Sequence, residues 1–315
     1  MSLFQALGAT FGVIGAASFV SNALFCFLLF KKPALLKKPH NILLLTLATI
    51  DMMSGVVIFA TPLFEITKDP FLVGPTGYIF CYLFANSFLV FLLSKASILT
   101  VMLLAMERWF SVIRPFTYKL FFTRKKLLKY VGCIFILSAL VHIYKLFEIK
   151  FKNNTCVFDP NIFDKRGQQA FVLSKVIITF VIPTLITWAS FVQIWYRIKT
   201  SPTLIGLTEQ AQAQQRLLLR MCAITAAVLT GCWLPSQTVY VLNYFGVVQH
   251  LSIWNKMFLI LSMSNSIVNP WIYFLSNKEY RNEFFSLYFI CKKTARVSPV
   301  IPEIDTKMEQ MQNVQ

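Results

Sequence analysis

The sequence predicts an all-α membrane protein built as a bundle of seven transmembrane helices, because it is very apolar and carries seven long apolar runs. Of its 315 residues, 57% are hydrophobic and only 14% are charged, which exceeds the needs of one soluble core. A bilayer core of ~30 Å requires about 20 apolar residues per helix. Runs of that length occupy residues 8–30, 41–64, 79–106, 128–147, 170–196, 217–245 and 252–276.

Basic residues predict which side of the membrane each connection faces. With the N-terminus outside, the inner connections and the tail hold 21 of the 30 lysines and arginines. We therefore expect an extracellular N-terminus and a cytoplasmic C-terminus. The net charge of +17 then reflects topology and attraction to anionic membrane lipid. Nucleic acid is not an expected partner, and the lack of an internal repeat argues against a transporter or channel.

Three sites of covalent modification are expected from this topology. Cys81 opens the third run on the outer side and Cys156 lies in a long outer loop, where an oxidising environment favours a disulfide. Asn153 begins a sequon that permits glycosylation. Cys291 follows an amphipathic stretch on the inner side, which makes it a candidate for palmitoylation.

Polar side chains inside apolar runs are costly and are therefore functional candidates. The chain places these at Asp51, Ser97, Asn265, Ser266 and Asn269. Asn265 and Asn269 are one helical turn apart, and with Asp51 they would form an oxygen-lined pocket of the size of a cation. Pro235 and Pro270 each remove a backbone hydrogen bond and bend their helices; the alternative is that such prolines are simply tolerated in membrane helices.

Four motifs occur in order: "NILLLTLATID" in the second run, "MERW" after the third, "CWLP" in the sixth and "NPWIY" in the seventh. Through them the chain resembles rhodopsin-like (class A) G-protein-coupled receptors over nearly its whole length. The resemblance implies that Asp51, Ser97, Asn265, Ser266 and Asn269 hold a sodium ion in the resting state. It also implies a switch, in which Glu107 holds Arg108 until activation and Trp233 is the pivot under the ligand. The switch residues are Glu107, Arg108, Trp109, Pro235, Pro270 and Tyr273.

The same resemblance implies the organisation and partners of the chain. Residues 1–290 would form the receptor domain, including a short amphipathic helix at about 278–290 on the cytoplasmic side. Residues 291–315 would be a disordered cytoplasmic tail. We expect a plasma-membrane receptor without enzymatic activity. It would bind a small-molecule or lipid ligand and transmit the signal of that binding to a heterotrimeric G protein. Arrestin is a further expected partner, although the tail holds few hydroxyl residues.

Two short stretches, "GPTG" at 74–77 and "NKEYR" at 277–281, are similar to opsins in particular. Opsins bind retinal through a lysine six residues before the Asn-Pro pair, and Met263 occupies that position here. Because a thioether cannot form a Schiff base, covalent retinal at the usual site is not expected. The chain therefore resembles opsin relatives that lack this lysine, such as the placopsins.

Other departures from the family change the expectations further. Cys81 lies 27 residues before Arg108, two more than usual, which predicts an irregular disulfide geometry at the end of the third helix. Gln215 replaces the acid that often pairs with Arg108. Val90 stands where amine receptors carry an Asp, so an amine ligand is not expected.

Two lysines inside the runs dominate the ligand hypothesis. Lys95 is 14 residues past Cys81, about 21 Å down a helix, too deep to reach the outer interface. It is either a neutral amine bonded to neighbours such as Ser94 or Thr179, or part of an anion site with Lys175; Lys175 alternatively snorkels outward. A further alternative is a light sensor that holds retinal noncovalently or on Lys95. The expected ligand-contacting residues are Asn86, Val90, Phe91, Ser94, Lys95, Lys175, Thr179, Trp233, Gln237, Tyr240 and Met263.

Overall fold

The computed structural model describes residues 3–60, 74–153, 155–158, 164–200, 209–248, 253–278 and 280–286. Helices dominate this part of the chain, and most of them are long. The α-helices are α1 (Leu3–Lys31), α2 (Pro39–Ala60), α3 (Pro75–Ile79), α4 (Phe88–Ile113), α5 (Pro115–Phe121), α6 (Arg124–His142), α7 (Lys165–Val176), α8 (Ile182–Thr200), α9 (Glu209–Tyr244) and α10 (Ile253–Ser276).

Seven segments of the described chain are long and apolar enough to cross a membrane, which confirms the predicted seven-helix bundle. Spans one to seven are Gly8–Lys31, Pro39–Ala60, Pro75–Ile113, Arg124–Phe147, Lys165–Thr200, Ala213–Tyr244 and Trp254–Ser276. Several are longer than the apolar runs that predicted them, because a helix continues into polar residues at the ends of its apolar stretch.

Span three lies at the centre of the bundle. Its main helix α4 packs against α2, α6, α8 and α9, and every residue from Leu93 to Val101 is buried. Polar residues on this stretch therefore meet other helices and not lipid. The bundle has two ends, named here the Arg108 end and the hairpin end after the residue and the β-hairpin found there.

Spans one and two meet backbone to backbone at a pair of glycines. A Cβ atom added to Gly15 would lie 2.7 Å from the carbonyl oxygen of Gly55, and one added to Gly55 would lie 2.7 Å from that of Gly15. Real Cβ atoms do not approach so closely, so only glycine permits this contact. Small residues at such crossings allow membrane helices to pack tightly.

The start of span three is irregular. Between α3 and α4 the chain forms a π-helical turn at Phe80–Ala85, and Ser87 adopts a left-handed conformation with φ of 56°. Wider π turns accommodate extra residues within a helix. Cys81 lies on this turn and forms a disulfide with Cys156, with a Cα–Cα distance of 5.6 Å, so the predicted pairing is present.

A two-stranded hairpin follows span four. Strands β1 (Ile149–Lys152) and β2 (Thr155–Phe158) pair antiparallel, with Phe151 opposite Cys156. The disulfide therefore ties the hairpin to span three. Asn153 lies exposed at the turn with φ of 52°, a conformation that asparagine tolerates better than most residues. Its glycosylation stays a prediction.

After span seven the chain is helical at residue 278 and over 280–286, where the amphipathic helix is predicted. Buried Tyr280 donates a hydrogen bond to Asn41 Oδ1 of span two, and Glu283 pairs with Lys32 at 2.6 Å. These contacts hold the segment against the Arg108 end. Cys291 and the predicted tail 291–315 lie outside the described residues.

Candidate functional site

The predicted polar cluster forms around Asp51 in the middle of span two. Asp51 is completely buried. Asn269 Nδ2 donates to its Oδ2 at 2.7 Å, while the hydroxyls of Ser266 and Ser97 donate to its Oδ1 at 3.1 and 3.3 Å. Spans two, three and seven thus meet at one carboxylate.

Buried acceptor oxygens accompany this carboxylate. Within the described part of the chain, the side-chain oxygens of Asn22, Asn265 and Asn269 are buried without a hydrogen-bond donor. Asn265 contributes such an oxygen but no hydrogen bond to Asp51 among the contacts of the described residues. Uncompensated buried oxygens are costly, and a hard cation such as sodium would compensate them, so the residues present fit such an ion.

The bend at Pro270 is anchored by span one. Proline lacks an N–H, so the carbonyl of Ser266 one turn earlier loses its helical partner. Asn22 Nδ2 donates to that carbonyl at 2.8 Å and also to the carbonyl of Ser18 at 2.8 Å. Asn22 was not predicted as a site residue, although an amide within span one was a visible signal.

Span six bends in a related way at Pro235, which lies within α9. The Ser262 hydroxyl of span seven donates to the Cys232 carbonyl at 3.2 Å, close to this proline. Tyr273, the last residue of the "NPWIY" motif, is fully buried and packs its ring 4.9 Å from that of Phe25. The two bent helices are therefore contacted by spans one and seven near their prolines.

Arg108 is held by two partners in the described residues. Its guanidinium forms a two-point ion pair with buried Glu107, as the family resemblance implies. Its Nη2 also donates to His40 Nδ1 of span two at 3.2 Å. His40 was missed by the sequence analysis, and it supplies a polar contact where the family acid of span six is replaced by Gln215.

Helix α5 completes this network. The Tyr118 hydroxyl donates to Glu107 Oε1 at 2.6 Å. Burial raises the pKa of the Tyr118 phenol, and the neighbouring Glu107 carboxylate raises it further, so the hydroxyl remains a donor at neutral pH. Trp109, the aromatic residue of the motif, donates from Nε1 to Gln193 Oε1 of span five at 2.7 Å.

A cavity of about 250 Å³ opens among spans three to seven at the hairpin end. Five residues of the predicted ligand set line it: Phe91, Lys95, Lys175, Gln237 and Tyr240. The other six, Asn86, Val90, Ser94, Thr179, Trp233 and Met263, are buried around it and do not form its wall. They had been assigned to the ligand site through the family resemblance, and in the structure their side chains are covered by neighbouring residues.

The two intramembrane lysines have partners that differ from the expected ones. Lys95 Nζ donates to Gln237 Oε1 at 3.3 Å and lies 5.1 Å from the centre of the Trp233 ring. The expected partners of Lys95 were wrong, since Ser94 and Thr179 donate to backbone carbonyls of their own helices at 2.7 and 2.9 Å. A hydroxyl in a helix readily bonds the carbonyl four residues earlier.

Lys175 does not snorkel outward. Its Nζ donates to the hydroxyls of Tyr144 and Tyr240, both at 2.5 Å. Lys175 and Lys95 thus both reach span six. The flexible stem of lysine allows this, because it spans the gap to whichever acceptor lies nearest.

Span four contributes cavity residues that the sequence analysis missed, namely His142, Tyr144 and Lys145. Lys145 is the third lysine at the cavity and pairs with Glu148 at 2.6 Å. His142 stacks on Phe91 and bonds the Ser138 carbonyl through Nδ1 at 3.0 Å. The stretch "HIYK" stands at the end of an apolar run, where polar residues commonly meet the membrane interface. Its polarity therefore did not indicate a ligand site.

The geometry defines a seven-helix membrane receptor, with a buried polar core, an Arg108 network at one end and a cavity at the other. The sequence profile described as "7 transmembrane receptor (rhodopsin family)" matches residues 21–273. The chain belongs to this family, whose members are signalling receptors and not enzymes.

Individual relatives in the family are distant and named for different ligands. The chain is 24% identical to the allatostatin-A receptor of Bombyx mori over 294 residues, covering 87% of this chain and 77% of the relative. It is 23% identical to the 5-hydroxytryptamine receptor 1 of Aplysia californica, covering 92% and 76%. It is also 23% identical to the rhodopsin of Sminthopsis crassicaudata, covering 78% and 71%.

Proposed function

We propose that this receptor binds a small or lipid-derived acid in the cavity at the hairpin end and transmits its binding to a heterotrimeric G protein. One observation supports an acidic ligand: three lysines line the cavity, and of these three only Lys145 forms an ion pair with a carboxylate of the described residues. An anionic group would neutralise the charge of Lys95 and Lys175. An amine ligand would meet repulsion instead.

The size and lining of the cavity limit the ligand. At about 250 Å³ the cavity is smaller than the ~300–1,000 Å³ typical of pockets for drug-sized molecules. Apolar side chains such as Phe91, Phe258 and Leu259 line it beside the lysines. A compact acid with an apolar body fits this combination, whether it is soluble or the head of a lipid acid.

The test compares acids with their primary amides, which have nearly the same shape and no charge. Purified full-length receptor is incubated with aromatic and aliphatic acids of increasing chain length, and melting temperature and G-protein nucleotide exchange are measured. We expect acids, and not amides, to stabilise and activate the receptor. Short active acids indicate a soluble ligand, whereas activity restricted to long chains indicates a lipid.

Charge-deleting variants test the proposed site. A charge-assisted contact contributes roughly 1.5–3 kcal/mol, so Lys95→Met and Lys175→Met should each lower acid affinity about tenfold to a hundredfold. Lys152→Met, an exposed position on the hairpin, is the matched control and should change nothing. Equal responses to acids and amides, or a stabilised Lys95→Met protein with unaltered acid potency, would contradict the proposal.

The proposal includes a resting-state sodium ion held by Asp51, Ser97, Asn265, Ser266 and Asn269. Its support is the fully buried carboxylate beside amide oxygens without donors in the described chain. Sodium would supply the counter-charge that Asp51 lacks. The cluster joins span seven to spans two and three, so the ion would hold these helices in one arrangement.

We further propose that the Arg108 end is cytoplasmic and contacts the G protein, in a receptor of the plasma membrane with its N-terminus outside. The basic residues concentrated at that end support this orientation, and they would also attract anionic lipid. Next to Arg108, Phe116 of helix α5 is 96% exposed. Such a large apolar side chain suits a protein partner at the end of the bundle. Arrestin would compete for the same end.

The alternative is an opsin-like light sensor, in line with the rhodopsin relative and with the placopsin resemblance. The observation in its favour is Lys95, an amine in the cavity wall that has no carboxylate partner in the described residues. Addition of 11-cis retinal should then produce visible absorbance, and a Schiff base on Lys95 would survive acid denaturation. Lys95→Met is the control, and a spectrum without a visible band excludes this alternative.

A further inference from the structure

One face of span six carries three contacts to lysines of other spans. Trp233, Gln237 and Tyr240 are spaced four and three residues apart, so they lie along one side of the helix. Lys95 from span three contacts the first two, through the Trp233 ring at 5.1 Å and Gln237 Oε1 at 3.3 Å. Lys175 from span five donates to the Tyr240 hydroxyl at 2.5 Å.

The two contacts of Lys95 are buried, and the contact between Lys175 and Tyr240 is partly buried. Lys95 and Trp233 are each 3% exposed and Gln237 is 7% exposed. A cation over an aromatic ring, and a hydrogen bond from an ammonium group, both gain strength when water is excluded. The contacts also lie on both sides of Pro235, the bend in span six, so they hold the helix where it is most able to flex.

We propose that Lys95 and Lys175 form a double latch that holds span six against spans three and five in the resting receptor, and that an acid opens it. This inference rests on the proposed function. Lys95, Lys175, Gln237 and Tyr240 all line the cavity, so an acid bound there reaches the latch directly. The carboxylate of the acid accepts hydrogen bonds from the two ammonium groups. These groups then no longer donate to Gln237 and Tyr240. Span six then loses its ties near the bend and moves away.

The latch predicts effects of opposite sign for two changes at one position. Gln237→Leu removes the acceptor but keeps the side-chain size, so basal nucleotide exchange should rise about fivefold or more, within the usual range for coupled sites. Acid affinity should rise by a similar factor, because the acid no longer competes with Gln237. Gln237→Glu places a carboxylate beside Lys95, so both basal exchange and acid affinity should fall.

Two further variants complete the test. Tyr240→Phe keeps the ring and removes the hydroxyl bound to Lys175, and it should raise basal exchange like Gln237→Leu. Tyr78→Phe is the matched control, because it removes a hydroxyl from a tyrosine that is 51% exposed and lies outside the cavity wall, and it should have no effect. All variants are compared as full-length receptor at equal surface expression, and the melting temperature of each identifies any variant that fails to fold.

The results distinguish failure of the latch proposal from failure of the proposed ligand class. If Gln237→Leu and Gln237→Glu both leave basal exchange and acid affinity unchanged while Lys95→Met still lowers acid affinity about tenfold or more, the latch is wrong and the acid site stands. If no acid binds the wild type but Gln237→Leu raises and Gln237→Glu lowers basal exchange, the latch stands and the proposed ligand class is wrong.

Discussion

The hydroxyl of Tyr118 provides a sharp test of the Arg108 network, because it can be removed without changing the packing around it. Tyr118→Phe keeps the ring that stacks on Phe122 at 5.5 Å and deletes the 2.6 Å hydrogen bond to Glu107. Glu107 then keeps only its ion pair with Arg108 among the contacts seen here. The resting arrangement is therefore weakened, and we expect basal G-protein activation to rise.

The size of the effect follows from the kind of bond. A hydrogen bond to a charged group contributes roughly 1.5–3 kcal/mol, and partial exposure of Tyr118 favours the lower end of that range. A loss of about 1.4 kcal/mol shifts an equilibrium about tenfold. A receptor that is active in about 1% of molecules at rest would thus be active in about 10%.

The assay is basal nucleotide exchange in membranes with equal amounts of receptor. Tyr130→Phe is the matched control, since that hydroxyl donates to the Phe121 carbonyl at 3.3 Å and does not contact Glu107. Because the pKa of the Tyr118 phenol is raised, the difference between wild type and variant should be constant between about pH 6 and 8. An unchanged basal rate in a well-folded Tyr118→Phe receptor would refute this role of the hydroxyl.

Three further predictions concern other sites. Asp51→Asn should abolish any dependence of the melting temperature on sodium, and a sodium effect that persists in this variant removes the ion from Asp51. Arg108→Ala should impair nucleotide exchange at near-normal surface expression, so full coupling by that variant would contradict its role. Cys156→Ser opens the disulfide with Cys81 and should lower stability by about 2–4 kcal/mol, measured by thermal unfolding; a melting temperature equal to that of wild type would contradict this.

The bundle and the Asp51 cluster could be predicted from the sequence because polar residues inside a membrane are rare and conspicuous. Length and apolar composition identified all seven spans, and Asp51, Ser266 and Asn269 do share hydrogen bonds. The π turn at the start of span three was not predicted, although the two surplus residues before Arg108 were noticed and were assigned only to the disulfide geometry. Asn22 was overlooked, because its role depends on the carbonyl that Pro270 frees on another helix.

The contacts in the cavity were less predictable. Spacing along a helix indicates which face carries Lys95. The acceptor of a long side chain, however, depends on which polar group the tertiary fold brings near it, and Gln237 lies 142 residues further along the chain. The contribution of span four was hidden for another reason. His142 and Lys145 lie at the end of an apolar run, where polar residues are ordinary and only the packed structure shows that they face inward.

The contact between Gly15 and Gly55 makes one part of the receptor more rigid than the rest. Two helices whose backbones touch have no flexible side chains between them to absorb sliding, so spans one and two act as a rigid frame. Asn22 connects the bend of span seven to this frame, whereas the side-chain hydrogen bonds that join span six to spans three and five at the cavity come from long lysine side chains. Motion should therefore concentrate in span six, and replacing either glycine with alanine would loosen the support against which that helix moves.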